Sequence, residues 1–217
     1  AAVLFLLKKL SDAERDNDHI YAVIRGFAAN HNGFRSNSLA SPSSDGQTEV
    51  IVKAIQNAGV NPENIGLIET HGTGTNIGDP IEIKGLSDAF HQFTEKRAFC
   101  SLGAVKSNFG HAGICAGAVG LLKAVASLSL KKRYPIANYH QPNRLIDFEN
   151  SPFYPQSTLD HWEQSGIRTA GVSSLGLSGT NVFGILTEYP QQKPEAETAS
   201  TDVFSISAAS EDALQRY

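Results

Sequence analysis

Two of the chain's seven histidines stand where chemistry could be done. His71 closes the run GLIET-H and His111 closes SLGAVKSNFG-H. Each follows an apolar, strand-like stretch, sits beside a glycine and precedes a helical pattern. In layered α/β sheets ligands bind beyond the carboxyl ends of the strands, so two imidazoles at two such ends could face one spot, with Lys106 adding positive charge. Ring N–H donors aimed at an oxygen where negative charge develops would stabilise it. A blander reading stays open: both rings could be satisfied polar groups at strand ends. The other five, His19, His31, His91, His140 and His161, lie in polar or loop contexts and read as surface residues.

Other chemistries fit less well. A metal site of His71, His111 and Asp79 or Glu82 lacks the pair of ligands within one short motif that zinc sites use. GTGTNIG misses the dinucleotide pattern because Ile77 falls where its third glycine should be, and GAVKS lacks the earlier glycine of a phosphate loop. GVSSLG and GLSGT hold the letters of a hydrolase elbow but not its spacing.

The elements that must hold these residues can be read from apolar periodicity. Residues 3–9 and HIYAVIRGFAAN read as two strands of a hairpin-like pair, with Ser11 and Glu14 as a capping box between them. Residues 30–46 read as loop. Val50, Ile51, Ala54, Ile55 and Ala58 have helical spacing, with Gly59 as the stop. NIGLIET is a continuous apolar run of the kind covered on both faces. Asp79 and Pro80 open the next helix as cap and first turn. AFCSLGAVKS is another buried strand, residues 112–130 a long helix, and GVSSLG and NVFGILTEY two closing strands. The alternation predicts an α/β layered domain over residues 1–189 with a mixed sheet flanked by helices. From Pro190 the chain is polar and aperiodic, a linker, and VFSISAASEDALQRY reads as the first strand and helix of a following unit.

Composition bounds the function. The 217 residues are 41% hydrophobic and 18% charged, with net charge −4, an ordinary globular balance with no pull toward nucleic acid or anionic membrane. The helix at 112–130 is apolar, but its one charge, Lys123, sits mid-span, and its many small residues suit close packing in a protein core better than a bilayer. Cys100 and Cys115 lie in apolar stretches without a spaced framework, which points to a reducing, cytoplasmic setting. An opening in the middle of an apolar run, without Met, suggests a piece of a longer protein.

ETHGTGTNIGDPIE and VKSNFGHAGICAGAVGLLK closely resemble the two histidine motifs of β-ketoacyl synthases, and in particular of the ketosynthase domains of modular type I polyketide synthases. IYAVIRGFAANHNG, SNSLASPS, PNRLIDFENSPFY and RTAGVSSLGLSGTN agree in the same order, so the resemblance covers essentially the whole chain. It implies a thiolase-like fold of two similar halves, of which this is the C-terminal one. The family's nucleophilic Cys belongs to the other half, and its motif is absent here. Cys100 and Cys115 match no nucleophile and are expected to be buried structural thiols.

The resemblance further implies that His71 and His111 flank the thioester of a malonyl-type extender, while Lys106 supports them through a carboxylate such as Glu82. Asp79 and Glu82 would be structural and electrostatic. Thr73, Thr75, Asn108 and Leu177 would touch substrate, the two threonines through the phosphopantetheine arm of an acyl carrier protein, with turn stabilisation as the other reading of their hydroxyls. No directly bound cofactor or metal is implied. Expected partners are that carrier protein, the N-terminal half, the remaining synthase domains and a second copy in a full-length homodimer. The implied reaction is decarboxylative Claisen condensation, which this piece alone would not perform. The alternatives are a non-elongating ketosynthase that hands on acyl chains, or the ketosynthase of a type I fatty acid synthase. Where the family commonly ends in F-G-F-G-G-T-N-A-H, this chain reads LGLSGTNVF, and Leu177 takes the place of an aromatic gate.

Overall fold

The structure is a computed structural model, described here for residues 1–36, 41–190 and 207–215. Its elements run α1 (Leu10–Arg15), β1 (Val23–His31), α2 (Ser44–Ala58), β2 (Ile65–Glu69), α3 (Gly78–Phe90), β3 (Cys100–Gly103), α4 (Lys106–Phe109), α5 (Ala116–Leu130), β4 (Lys132–Arg133), β5 (Phe153–Pro155), β6 (Asp160–His161), β7 (Thr169–Leu175), β8 (Thr180–Thr187) and α6 (Glu211–Leu214). A six-stranded sheet has the order β1-β8-β7-β2-β3-β5. β1, β8 and β7 pair antiparallel, while β7, β2, β3 and β5 are parallel. The sheet is mixed and flanked by helices, as the sequence predicts.

Every residue of β2 is buried, because helices cover both faces of the sheet centre. On one face α2 and α3 pack Val50, Ile51, Ala54, Ile55, Leu86 and Phe90 against Ile68, Leu102 and Phe183. On the other, α5 lays Ala124 and Leu128 on Leu67, Ala170 and Val172. The small residues of α5 let it come close: a Cβ on Gly117 would stand 2.4 Å from Ser174 Oγ. The stretch Gly113–Leu130 is long and apolar enough to cross a membrane, with mean hydropathy 1.7, but one face of α5 lies on this sheet.

Three expectations are corrected. Residues 3–9 form no strand, and Leu4, Leu6 and Leu7 are exposed. β1 pairs instead with β8, across a register shift between Ile24 and Gly26. A strand needs a neighbouring strand for its backbone N–H and C=O groups, and among the described residues none pairs with residues 3–9. Ser11 lies inside α1, and the cap position is Lys9 without a side-chain bond. α2 starts at Ser44, earlier than its apolar stripe, because Ser43 Oγ accepts the Gly46 N–H at 3.2 Å; Gly59 closes it at φ 62°, as expected. The short strands β4, β5 and β6 were not legible. The strand expected after residue 202 falls mostly outside the described residues.

Candidate active site

The sheet order explains how distant residues meet. β2 lies between β7 and β3, with Glu69 in register with Val172 on one side and Gly103 on the other. Continuing past the end of β2, His71 is therefore flanked by Leu175 at the end of β7 and by Lys106 at the start of α4, just beyond β3. Thr70 locks the exit, donating both its N–H and its hydroxyl to the Gly103 carbonyl at 2.9 and 2.8 Å.

His111 returns to the same place. Gly110 at φ 78° and Gly113 at φ 62° turn the chain after α4, a backbone region that glycine enters without a Cβ penalty. The two imidazoles then stand with ring centroids 6.2 Å apart, nearly perpendicular at 85°. His71 is half-buried and His111 exposed.

Their hydrogen bonds assign the tautomers. Nδ1 of His71 accepts the Leu175 N–H at 3.3 Å and faces Lys106 Nζ at 3.4 Å. Nδ1 of His111 accepts the Gly113 N–H at 3.0 Å. A backbone amide and an ammonium only donate, so both Nδ1 atoms carry lone pairs and both protons sit on Nε2. Neither Nε2–H has a protein acceptor among the described residues. Burial, then the Lys106 and His111 charges, lower the His71 pKa to about 4, so that ring is neutral at physiological pH.

Glu82 and Lys106 grip the His71 loop from opposite sides. Glu82 is buried and accepts the His71 N–H at 2.7 Å and the Gly72 N–H at 2.9 Å. Burial pushes its pKa up and these amides pull it back. Lys106 Nζ donates to the His71 carbonyl, and its pKa is lowered by burial against the pull of Glu82, Glu69 and Asp79. The family resemblance implies that Lys106 acts through a carboxylate such as Glu82. No direct ion pair joins them among the described residues; they meet through the peptide groups of one loop.

The remaining predicted residues divide. Asp79 lies in the first turn of α3, but its Oδ1 accepts the Gly74 N–H at 3.1 Å, tying down the loop. It is not the cap: that position is Ile77, without a side-chain bond, and Thr75 Oγ1 accepts the N–H of Gly78, the first residue of the helix, at 3.0 Å. Thr73 is exposed and lines a cavity of about 750 Å³, together with Asn76, Asp79, Lys106, Asn138 and Arg144. That cavity does not include the imidazole rings; it lies against the loop that carries His71 and shares Lys106 with it. Asn108 is exposed on α4, its Oδ1 accepting the Ser107 hydroxyl at 3.4 Å. Leu177 is 78% exposed, in the turn between β7 and β8. Cys100 is fully buried, as expected, and its thiol pKa is raised by burial. Cys115 is only half-buried, with Sγ 3.1 Å from the Ala1 carbonyl.

Comparison with known proteins decides the family. The description Beta-ketoacyl synthase, C-terminal domain, matches residues 21–140. The chain belongs to the β-ketoacyl synthase family. Polyketide synthase PksL of Bacillus subtilis is 42% identical over 98% of this chain. A mycocerosic acid synthase-like polyketide synthase of Mycobacterium tuberculosis is 40% identical over 99%. Among solved structures, the ketosynthase from module 6 of the Bacillus subtilis bacillaene synthase superposes with TM-score 0.83 at 41% identity over 86% of this chain. Ketosynthase twelve of the Bacillus amyloliquefaciens bacillaene synthase gives 0.82 at 40% identity over 86%. This β-ketoacyl synthase chain spans 5% and 10% of the two synthases and 33% and 34% of the two ketosynthase chains.

Sequence reasoning singles out His71, His111 and Lys106, which the structure brings near one another, and passes over three groups around them. The Leu175 N–H is a backbone donor and leaves no side-chain signal. His31, read as surface, is indeed exposed, yet its Nε2 bonds the Ser178 carbonyl at 2.8 Å and holds the loop of Leu177. Glu69 and Lys123 form a buried ion pair; a lone lysine in an apolar helix was the visible sign of a buried partner.

Proposed function

We propose that this chain is the C-terminal half of a modular polyketide ketosynthase and supplies the oxyanion donors for decarboxylative Claisen condensation. The observation that carries the reading is the paired tautomers: both Nδ1 atoms accept backbone N–H groups, leaving two neutral Nε2–H donors side by side. Loss of carbon dioxide from a malonyl-type thioester leaves an electron pair delocalised onto the thioester oxygen. Two fixed N–H donors favour that charge at the moment it forms. The carbanion then attacks an acyl-Cys thioester on the N-terminal half, the Cys thiolate leaves, and the β-ketoacyl product stays on the carrier.

Thr73, in the cavity wall with Gly72 and Gly74, suits a thin polar arm such as phosphopantetheine, and we assign the carrier protein as its source. Phe109 and Ile114, on either side of His111 in the chain, and Leu177 are all exposed, and these uncovered apolar side chains support docking of the N-terminal half. A synthase homodimer, a cytoplasmic setting and a unit boundary near residue 189 belong to the same proposal. Intact His71, His111 and Lys106 favour a condensing enzyme over one that only hands on acyl chains.

The test is a complete ketosynthase containing this chain, assayed for decarboxylation of a malonyl thioester and for β-ketoacyl product. His71→Ala and His111→Ala should each lower the rate on the order of 100- to 1000-fold. Wild-type decarboxylation that survives both substitutions would end the proposal, as would condensation by residues 1–217 alone.

A further inference from the structure

One buried charge pair is not used by the chemistry above. Glu69, the last residue of β2, is 0% exposed, and its Oε2 lies 3.1 Å from Nζ of Lys123, whose side chain is 12% exposed. The contact falls outside hydrogen-bond angles, and neither atom has another partner among the described residues. The other oxygen, Oε1, accepts the Val105 N–H. The surroundings leave room for the pair: a Cβ on Gly103 would stand 2.4 Å from Oε2 and 3.1 Å from Nζ. Burying two charges is expensive, and an apolar pair of similar size is often as stable or more so. Stability is therefore a weak reason for these two residues to be charged.

Their position offers a better one. Glu69 ends β2, two residues before His71. Val105, which it holds, immediately precedes Lys106. Lys123 lies on α5, about two turns beyond the turn that follows His111. The carboxylate thus touches the three segments that deliver His71, Lys106 and His111.

We infer that the Glu69–Lys123 ion pair is a positioning device that sets the mutual placement of His71, Lys106 and His111. An apolar contact between β2 and α5 is non-directional and tolerates sliding, whereas a carboxylate shared between an amide and an ammonium fixes both partners. Burial raises the Glu69 pKa while Lys123 pulls it back, so the carboxylate charge depends on the ammonium beside it. The inference rests on the proposed condensation, since placement matters only if the imidazoles act together.

The experiment compares wild type with Glu69→Gln/Lys123→Met in the complete ketosynthase, following melting temperature and malonyl-thioester decarboxylation. The double variant leaves no unpaired buried charge, and the carboxamide oxygen of the introduced glutamine can still accept from Val105. The expected result is a melting temperature at or above wild type, a kcat about 10- to 100-fold lower, since small misplacements cost that much, and KM within about twofold. A purely structural pair would leave kcat at the wild-type value in the folded double variant, and that result overturns the inference. Should the double variant not fold, Glu69→Asp keeps both charges but shortens the reach; undiminished kcat there overturns it equally. His71→Ala in the same assay separates the two levels. If that substitution has no effect, the functional reading fails; if it is crippling while the pair variants are not, only the positioning role fails.

Discussion

The backbone N–H of Leu175 donates to Nδ1 of His71 at 3.3 Å, and this bond dictates which nitrogen of the ring carries the proton. Gly113 does the same for His111. The proposed chemistry therefore uses neutral N–H donors rather than imidazolium cations. A glutamine carries an amide N–H at about the reach of Nε2. His71→Gln should thus retain about tenfold more decarboxylation than His71→Ala, a fraction of the full oxyanion-donor effect. Initial rates on a malonyl thioester measure this, and equal rates for the two variants would refute a donor role.

The charge environment of His71 predicts a titration. Its pKa lies near 4 instead of the ordinary 6.5, first through burial and then through the Lys106 charge. Lys106→Met removes the second cause and keeps the first, so the pKa should rise but stay below the ordinary value. The folded state binds fewer protons than the unfolded one between the two pKa values. The contribution to stability is complete above about 6.5 and is lost as pH falls toward about 4. In the lysine variant this window narrows from its lower end. Histidine-ring NMR across the acid range reads the pKa directly, and an unchanged titration would contradict the Lys106 contact.

The two threonines of the loop should separate by experiment. Thr75 Oγ1 accepts the Gly78 N–H at the start of α3, while among the described residues Thr73 Oγ1 has only a 3.4 Å contact to Thr75. Thr75→Val removes the acceptor of the first amide of α3 and should cost about 0.5–1.5 kcal/mol, recovered by Thr75→Ser. Thr73→Val should leave stability unchanged and raise KM for the carrier-bound extender. Chemical denaturation and steady-state kinetics on both variants test the division, and reversed phenotypes would defeat it.

Where burial is strong the sequence was legible. β2 is covered on both faces and α5 packs one face through its small and apolar residues, so both announced themselves by continuous or periodic apolar residues, and the turns after β2 and β3 placed His71 and Lys106. Residues 3–9 carry the same apolar signal without a pairing partner among the described residues, and a run of side chains says nothing about what lies beside it. The reverse holds for β5, whose few residues pair with β3 through backbone bonds that no pattern of side chains advertises. Asp79 met every rule for a cap. It reaches back to Gly74 instead because α3 already begins at Gly78, which places Asp79 inside the first turn with its carboxylate free to tie down the preceding loop.

Leu177 offers the last prediction. It stands in the turn between β7 and β8, two residues past the amide that holds His71, and the turn itself is fixed by His31 on the Ser178 carbonyl and by the Asn32 N–H on the Gly179 carbonyl at 2.8 Å. The backbone there is tethered, so a change of side chain should alter the shape of the space beside the imidazoles without moving them. By the family resemblance this position commonly carries an aromatic ring, and leucine leaves more room. Leu177→Phe should therefore lower turnover of long or branched acyl groups relative to short ones, with the decarboxylation rate itself little changed, because the donors stay where they are. Turnover of a graded series of acyl thioesters by the complete enzyme measures it. A profile that does not shift with acyl size would mean that Leu177 faces away from the acyl chain.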